Sequence, residues 1–261
     1  MFLPHLKAAS SEITPLVLLP GDSGRVFLIG SQLKDFRVLR RNREFMLGVG
    51  TYGEIPITVC STGIGGPSTA IVAEELITAG AQVLVRVGTC GGAWRSDIPV
   101  GSLIIPTACV RDEGTTGEYI PKEFPAAADF EVVSALVRSA QKNQLQYFAG
   151  INRTHDAFYG TQESILRWGS YLGETQWEGT DTPILSSDME TSVLFVIASL
   201  RGRKAGAVLA VNAYPEPLLE RITSGVRLVT AETDEMTTRS VVQSAINVAL
   251  DAIVTLGVWK K

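Results

Sequence analysis

Three short stretches carry side chains able to grip an anion or a polyol: PGDSGR (20–25), VLVRVGTCGG (83–92) and SSDMETS (186–192). In the second, Arg86 interrupts a run that otherwise reads as a buried strand. A guanidinium keeps its charge at any physiological pH, and an uncompensated ion in a protein interior is strongly destabilising. Arg86 therefore needs either a permanent acidic neighbour or a cleft that receives an anion. In PGDSGR, a strand-ending turn leads to Arg25. Glycine lets backbone N–H groups approach a ligand closely, and such nests bind anions. The arginine adds a bidentate fork suited to phosphate. Alone, the hexapeptide also reads as an ordinary turn with a surface arginine. Two strand ends that each join glycine to arginine, in a chain of net charge -4, favour the anion cleft.

In SSDMETS, Ser187 and Glu190 fit a capping box, and the local pattern alone favours a helix cap. The functional alternative turns Met189 and Glu190 toward the cleft, where a carboxylate accepts hydrogen bonds from sugar hydroxyls. Asp188 lies two positions from Glu190 and would fall on another helix face. In DAFYGTQESILR (156–167), Phe158 offers a ring face for stacking. Gln162 offers a donor and an acceptor, and Arg167 offers donors; together they could read the edge of a heterocyclic base. A polar surface loop is the plain alternative. The glycine-rich loop CSTGIGGPS (60–68) lacks the third glycine of a dinucleotide fingerprint. The literal match, GVGTYG (48–53), is followed by a turn and strand rather than a helix, so that reading fails. His5 and His155 have no metal-ligand spacing, and His5 sits near a terminus, where order is uncommon.

The elements that must position these residues alternate along the chain. Strands are expected at 16–19, 57–60, 83–87, 102–106, 146–151 and 205–211, and helices at 65–79, 129–141, 187–200 and 234–255. Pro67 suits a first helical turn, and Asp129 suits a cap. This alternation predicts an α/β fold, a mainly parallel or mixed sheet with helices on both faces. No Pro-, Gly- or Ser-rich linker divides the chain, so 1–261 is expected to form a single domain. The stretch 161–183 is the least periodic, as lids and binding loops often are.

A hydrophobic fraction of 45% supports a sizeable core, and the acidic balance excludes a nucleic-acid or membrane-surface binder. Cys60, Cys90 and Cys109, an odd number without CxxC spacing, read as reduced core thiols of a cytoplasmic protein. No signal peptide is expected, and no apolar stretch is expected to reach the ~18 residues of a membrane span.

In order, PGDSGR, NREF (42–45), CSTGIGGPS, RVGTCGG, EFPAAADFE (123–131), DAFYG and DMETS resemble the nucleoside phosphorylase family, most of all its uridine phosphorylase branch. The resemblance runs from about His5 to Asn212. It implies the three-layer α/β/α fold with a central mixed sheet, and a pentosyltransferase that splits nucleosides with inorganic phosphate as co-substrate and no required cofactor. Gly21, Arg25, Arg86 and Thr89 match phosphate-binding positions. Arg43 matches an arginine that reaches a neighbouring subunit's phosphate, and His5 a histidine that reaches the neighbour's ribose. Met189 and Glu190 match the ribose-binding pair, with Asp188 where many relatives have glutamate. Phe158 and Gln162 match base-binding positions. Glu44, Ile64 and Ser68 match positions where some bacterial members hold potassium between subunits. The resemblance also implies a homo-oligomer, with a dimer as the minimal unit and a hexamer as the usual bacterial form.

Three departures bear on the base. Ser164 stands where many relatives have arginine, Arg167 fits the spacing of longer-loop members, and Asn212-Ala213 replaces an Asn-Arg pair. Purine-cleaving relatives carry an aspartate in the late segment, and this chain has none between Val208 and Glu216. Uridine is therefore the expected substrate. A purine nucleoside phosphorylase and a non-catalytic nucleoside-binding protein on the same scaffold are the alternatives.

Overall fold

The computed structural model describes residues 1–91, 97–158, 184–213 and 235–258. Strands β1 (Leu16–Pro20), β4 (Ile55–Cys60), β5 (Val83–Cys90) and β10 (Lys204–Val211) run parallel at the centre of the sheet. Every residue of β1 is buried, and each fully buried Val or Leu contributes about 1.5–3 kcal/mol. On one side, β2 (Lys34–Asn42) and β3 (Phe45–Tyr52) add an antiparallel hairpin to β4. On the other, β6 (Leu103–Asp112) pairs antiparallel with β10, and β8 (Tyr147–His155) and β9 (Ile184–Asp188) follow in parallel. The order is β2-β3-β4-β1-β5-β10-β6-β8-β9, with the short β7 (Ala126–Ala127) on β6. The expected mixed sheet is present.

Two apolar clusters fill its two faces, completing the three layers. One joins the sheet to α2 (Gly66–Thr78) and α4 (Thr191–Leu200), and the other to α1 (Ser23–Gly30), α3 (Phe130–Lys142) and α5 (Glu235–Val258). Side-chain alternation places Val83, Val85 and Val87 on the α5 face and Leu84 on the α2 face. Arg86 shares the α2 face with Leu84, because residues two apart on a strand point the same way. The sheet also curls. The Gly91 N–H donates to the Ser187 carbonyl at 2.9 Å, so the end of β9 meets the end of β5 although three strands lie between them in the sheet.

Four expectations need correction. The helix expected over 187–200 starts at Thr191, because Ser187 and Asp188 belong to β9 and pair with Arg153 and Thr154. The hairpin β2–β3 was not expected. Bulges between Lys34 and Arg37 and between Val38 and Arg40 break the alternation that would reveal β2. The N-terminus is ordered, with Leu3, Leu6 and Ala8 buried in the core. Finally, α5 is long and apolar enough to span a membrane by length and composition, contrary to expectation, yet 56% of that window is buried inside the protein. Its apolar side chains, among them Val242, Ile246, Leu250 and Ile253, pack on the sheet.

Candidate active site

Arg86 is 4% exposed. Its guanidinium folds over Gly88, its neighbour on the same face of β5: a Cβ at Gly88 would lie 2.8 Å from Nη2 and 2.9 Å from Cζ. Only glycine leaves that space. Nε donates to Asp188 Oδ2 at 3.0 Å, and Nη2 to Glu190 Oε2 at 2.5 Å. The reading that only a transient substrate partners Arg86 is thus corrected: two fixed carboxylates hold it. Nη1, however, is buried and has no partner among the described residues. It faces Gly21, where an ideal Cβ would stand 3.7 Å from it. Burial opposes the charge on Arg86, but Glu190 and Asp188 outweigh it and hold its pKa above the ordinary value.

Glu190 stands at the N-cap position of α4, with no capping bond from its side chain. The capping-box reading fails because the carboxylate turns away: Oε1 accepts from the Gly65 N–H at 2.7 Å, and Oε2 from Arg86. The cap is Asp188 instead. Its Oδ2 accepts from the backbone N–H of Thr191 at 3.0 Å and of Glu190 at 3.3 Å. Its Oδ1 accepts from Asn152 Nδ2 and Thr154 Oγ1, each at 2.8 Å. Burial, reinforced by Asp188, pushes the Glu190 carboxyl above its usual range although Arg86 pulls the other way. Met189, between them, is half-buried.

Arg25 rises from the first turn of α1, which is capped by Asp22 accepting from the Gly24 N–H at 2.8 Å. Its Nη2 lies 3.5 Å from Thr89 Oγ1, at the end of β5. Arg25 makes no salt bridge among the described residues. Burial, then repulsion from Arg86, lowers its pKa, offset in part by Asp22 and Glu190. The Gly63 N–H donates to the Gly21 carbonyl at 3.0 Å, tying the glycine-rich loop to the first strand end. Gly21, Arg25, Arg86 and Thr89 thus converge at the carboxyl ends of β1 and β5, where open α/β sheets take ligands. Two guanidiniums that repel each other, one with a buried N–H left without a partner among the described residues, are chemically suited to an anion.

His5 is anchored on α2: its Nδ1 lies 2.6 Å from Glu75 Oε1, and its backbone N–H donates to the same carboxylate at 2.9 Å. Its carbonyl accepts from Asn42 Nδ2 at 2.7 Å, beside Arg43. Arg43 is exposed at the β2–β3 turn with φ 54°, and no partner is found for it among the described residues. Glu44, Ile64 and Ser68 are brought together. Ser68 Oγ donates to the Ile64 carbonyl at 3.1 Å, and a Cβ on Gly63 would meet Glu44 Cγ at 2.6 Å and Ser68 Oγ at 3.3 Å. Phe158 is exposed. Gln162 and Arg167 lie outside the described residues.

Sequence reasoning missed Asp188 as the partner of Arg86, Gly65 as the donor to Glu190, and Gly88 as the floor beneath the guanidinium. One signal was available: a buried arginine requires carboxylates, and DMETS holds two of them within three residues.

A mixed α/β sheet that gathers arginines, a glycine loop and a buried carboxylate at its strand ends defines an enzyme scaffold for phosphate-dependent chemistry. The family model for the phosphorylase superfamily matches residues 15–254, and the chain belongs to that superfamily. It is 42% identical over 211 residues to a uridine phosphorylase of Treponema pallidum, covering 79% of this chain and 80% of that protein. It is 31% identical to a guanosine phosphorylase of Halorubrum lacusprofundi, covering 97% and 98%. The crystal structure of a uridine phosphorylase from Vibrio fischeri matches with a TM-score of 0.82 at 30% identity, covering 97% and 98%.

Proposed function

We propose that the chain is a uridine phosphorylase, converting uridine and inorganic phosphate reversibly to uracil and ribose 1-phosphate. The observation that carries this reading is the buried Nη1 of Arg86, which faces Gly21 and has no partner among the described residues, with Arg25 near enough to be repelled by it. Arg25, Arg86, Thr89 and the Gly21 amide bind phosphate below the sugar. Arg43 of one copy completes the site of another, and His5 reaches the same neighbour's ribose. Glu190, already spending one lone pair on Gly65 and one on Arg86, retains acceptor capacity for the sugar hydroxyls. As the glycosidic bond stretches, the ribose ring gains positive charge, which the phosphate dianion stabilises before its oxygen bonds to the anomeric carbon. The bonding pair stays on the departing base, whose negative charge Gln162 and Arg167 stabilise as hydrogen-bond donors while Phe158 stacks on the ring. Positioning and preorganised charge supply most of the rate.

The oxygen donors of Glu44, Ile64 and Ser68 suit a hard cation such as potassium, which would join two copies and takes no part in bond breaking. The active unit is at least a homodimer, hexameric in its full form, working in the cytoplasm. A purine substrate is the second reading, favoured by the likeness to the guanosine phosphorylase over nearly the whole chain. The test is product release from uridine, guanosine and inosine, each with and without phosphate. Uracil released only with phosphate is the expected result. Purine base released faster than uracil selects the second reading, and no release from any nucleoside overturns both.

A further inference from the structure

We infer that Asp188 is the positioning residue of the anion site, deciding which edge of the Arg86 guanidinium is left for phosphate. The inference rests on the functional reading above and deepens it. Arg86 offers two edges to a carboxylate, and Glu190 alone could take both Nη atoms as a fork. The structure prevents this. Asp188 holds Nε at 3.0 Å, so Glu190 engages Nη2 only, and Nη1 turns to Gly21.

Asp188 is itself immobilised. Its side chain is 1% exposed, and among the described residues each of its other hydrogen-bond partners donates: Asn152 Nδ2, Thr154 Oγ1, Thr191 Oγ1 and the Thr191 and Glu190 amides. Asn152 is locked in turn, because its Oδ1 accepts from Ser186 Oγ at 2.8 Å. The same carboxylate therefore caps α4, which carries Glu190, and orients Arg86. One group thus sets the sugar and phosphate halves of the site relative to each other. A surrounding made only of donors demands an acceptor-only side chain, which an amide is not.

The experiment measures binding of inorganic phosphate by calorimetry, and KM for phosphate and kcat by steady-state assay, for wild type, Asp188→Ala and Asp188→Glu. In Asp188→Ala, Arg86 falls back on Glu190, and phosphate affinity should drop ~10-fold or more. KM for phosphate should rise in step, beyond any fall in kcat at saturating phosphate. Asp188→Glu, which keeps the charge and the acceptors, should restore most of the affinity. A purely structural role would lower the melting temperature and the active fraction but leave the phosphate constants of the folded protein alone. That outcome overturns the inference. Should Asp188→Ala not fold, Asn152→Ala removes the restraint on Oδ1 without touching Arg86. It should weaken phosphate binding in the same direction, and an unchanged constant there also overturns it. Failure of the wild type to bind phosphate would instead refute the underlying functional reading.

Discussion

At the scale of single residues, the two arginines proposed to bind phosphate, Arg25 and Arg86, stand under opposite structural constraints. Removing Arg86 would leave Asp188 and Glu190 buried and uncompensated, so Arg86→Ala should cost about 3–5 kcal/mol of stability together with activity. Arg25 makes no salt bridge among the described residues, and burial and Arg86 both oppose its charge more than Asp22 and Glu190 support it. Arg25→Ala should therefore leave thermal stability unchanged or higher while KM for phosphate rises ~10–100-fold, the worth of about 1.5–3 kcal/mol in charge-assisted bonds. Comparing melting temperatures and phosphate constants of the two variants checks both statements. His155 offers a pH test. Burial, then the charge of Arg153, lowers its pKa from 6.5. As pH falls below 6.5 the unfolded chain takes up the proton before the folded one does, so stability is lost in that window. Denaturation of His155→Gln followed over the same range should show a shallower loss.

At the scale of elements, the start of α2 is where backbone geometry becomes chemistry. Gly65 has φ 90° and ψ 170°, a conformation open to glycine but strained for other residues, and in it the Gly65 N–H meets Glu190 Oε1. Gly65→Ala should cost about 1–3 kcal/mol and, on the proposal that Glu190 binds the sugar, raise KM for the nucleoside more than KM for phosphate. Equal rises in both constants would count against that assignment. The elements themselves were mostly legible. β1, β4, β5 and β10 are short, apolar and β-branched, and the Asp129 cap of α3 accepts from Glu131 and Val132 as its sequence suggests. Ser187-x-x-Glu190 misled because sequence spacing alone cannot say whether a strand has ended. Pairing with β8 keeps Ser187 and Asp188 extended.

At the scale of the whole molecule, the exposed Arg43 and the anchored His5 make sense if a second copy completes each site. Arg25→Ala and Arg43→Ala then place both lesions in the same site of a mixed dimer, leaving one site doubly impaired and the other intact. At phosphate low enough that each variant alone is nearly silent, random remixing of the two should restore roughly a quarter of wild-type activity, since half the dimers are mixed and each holds one good site. No recovery after confirmed subunit exchange would mean that Arg43 acts within its own chain. Composition, strand periodicity and the ordered glycine-arginine motifs by themselves determined the α/β class, the centre of the sheet and which strand ends carry glycine beside arginine, because these depend on local pattern and residue chemistry. Which carboxylates hold Arg86, and which of its N–H groups remains for a ligand, was decided only in three dimensions. Those contacts join residues 102 and 104 positions apart, and they exist because the sheet curls until β9 meets β5, a long-range closure that no local pattern encodes.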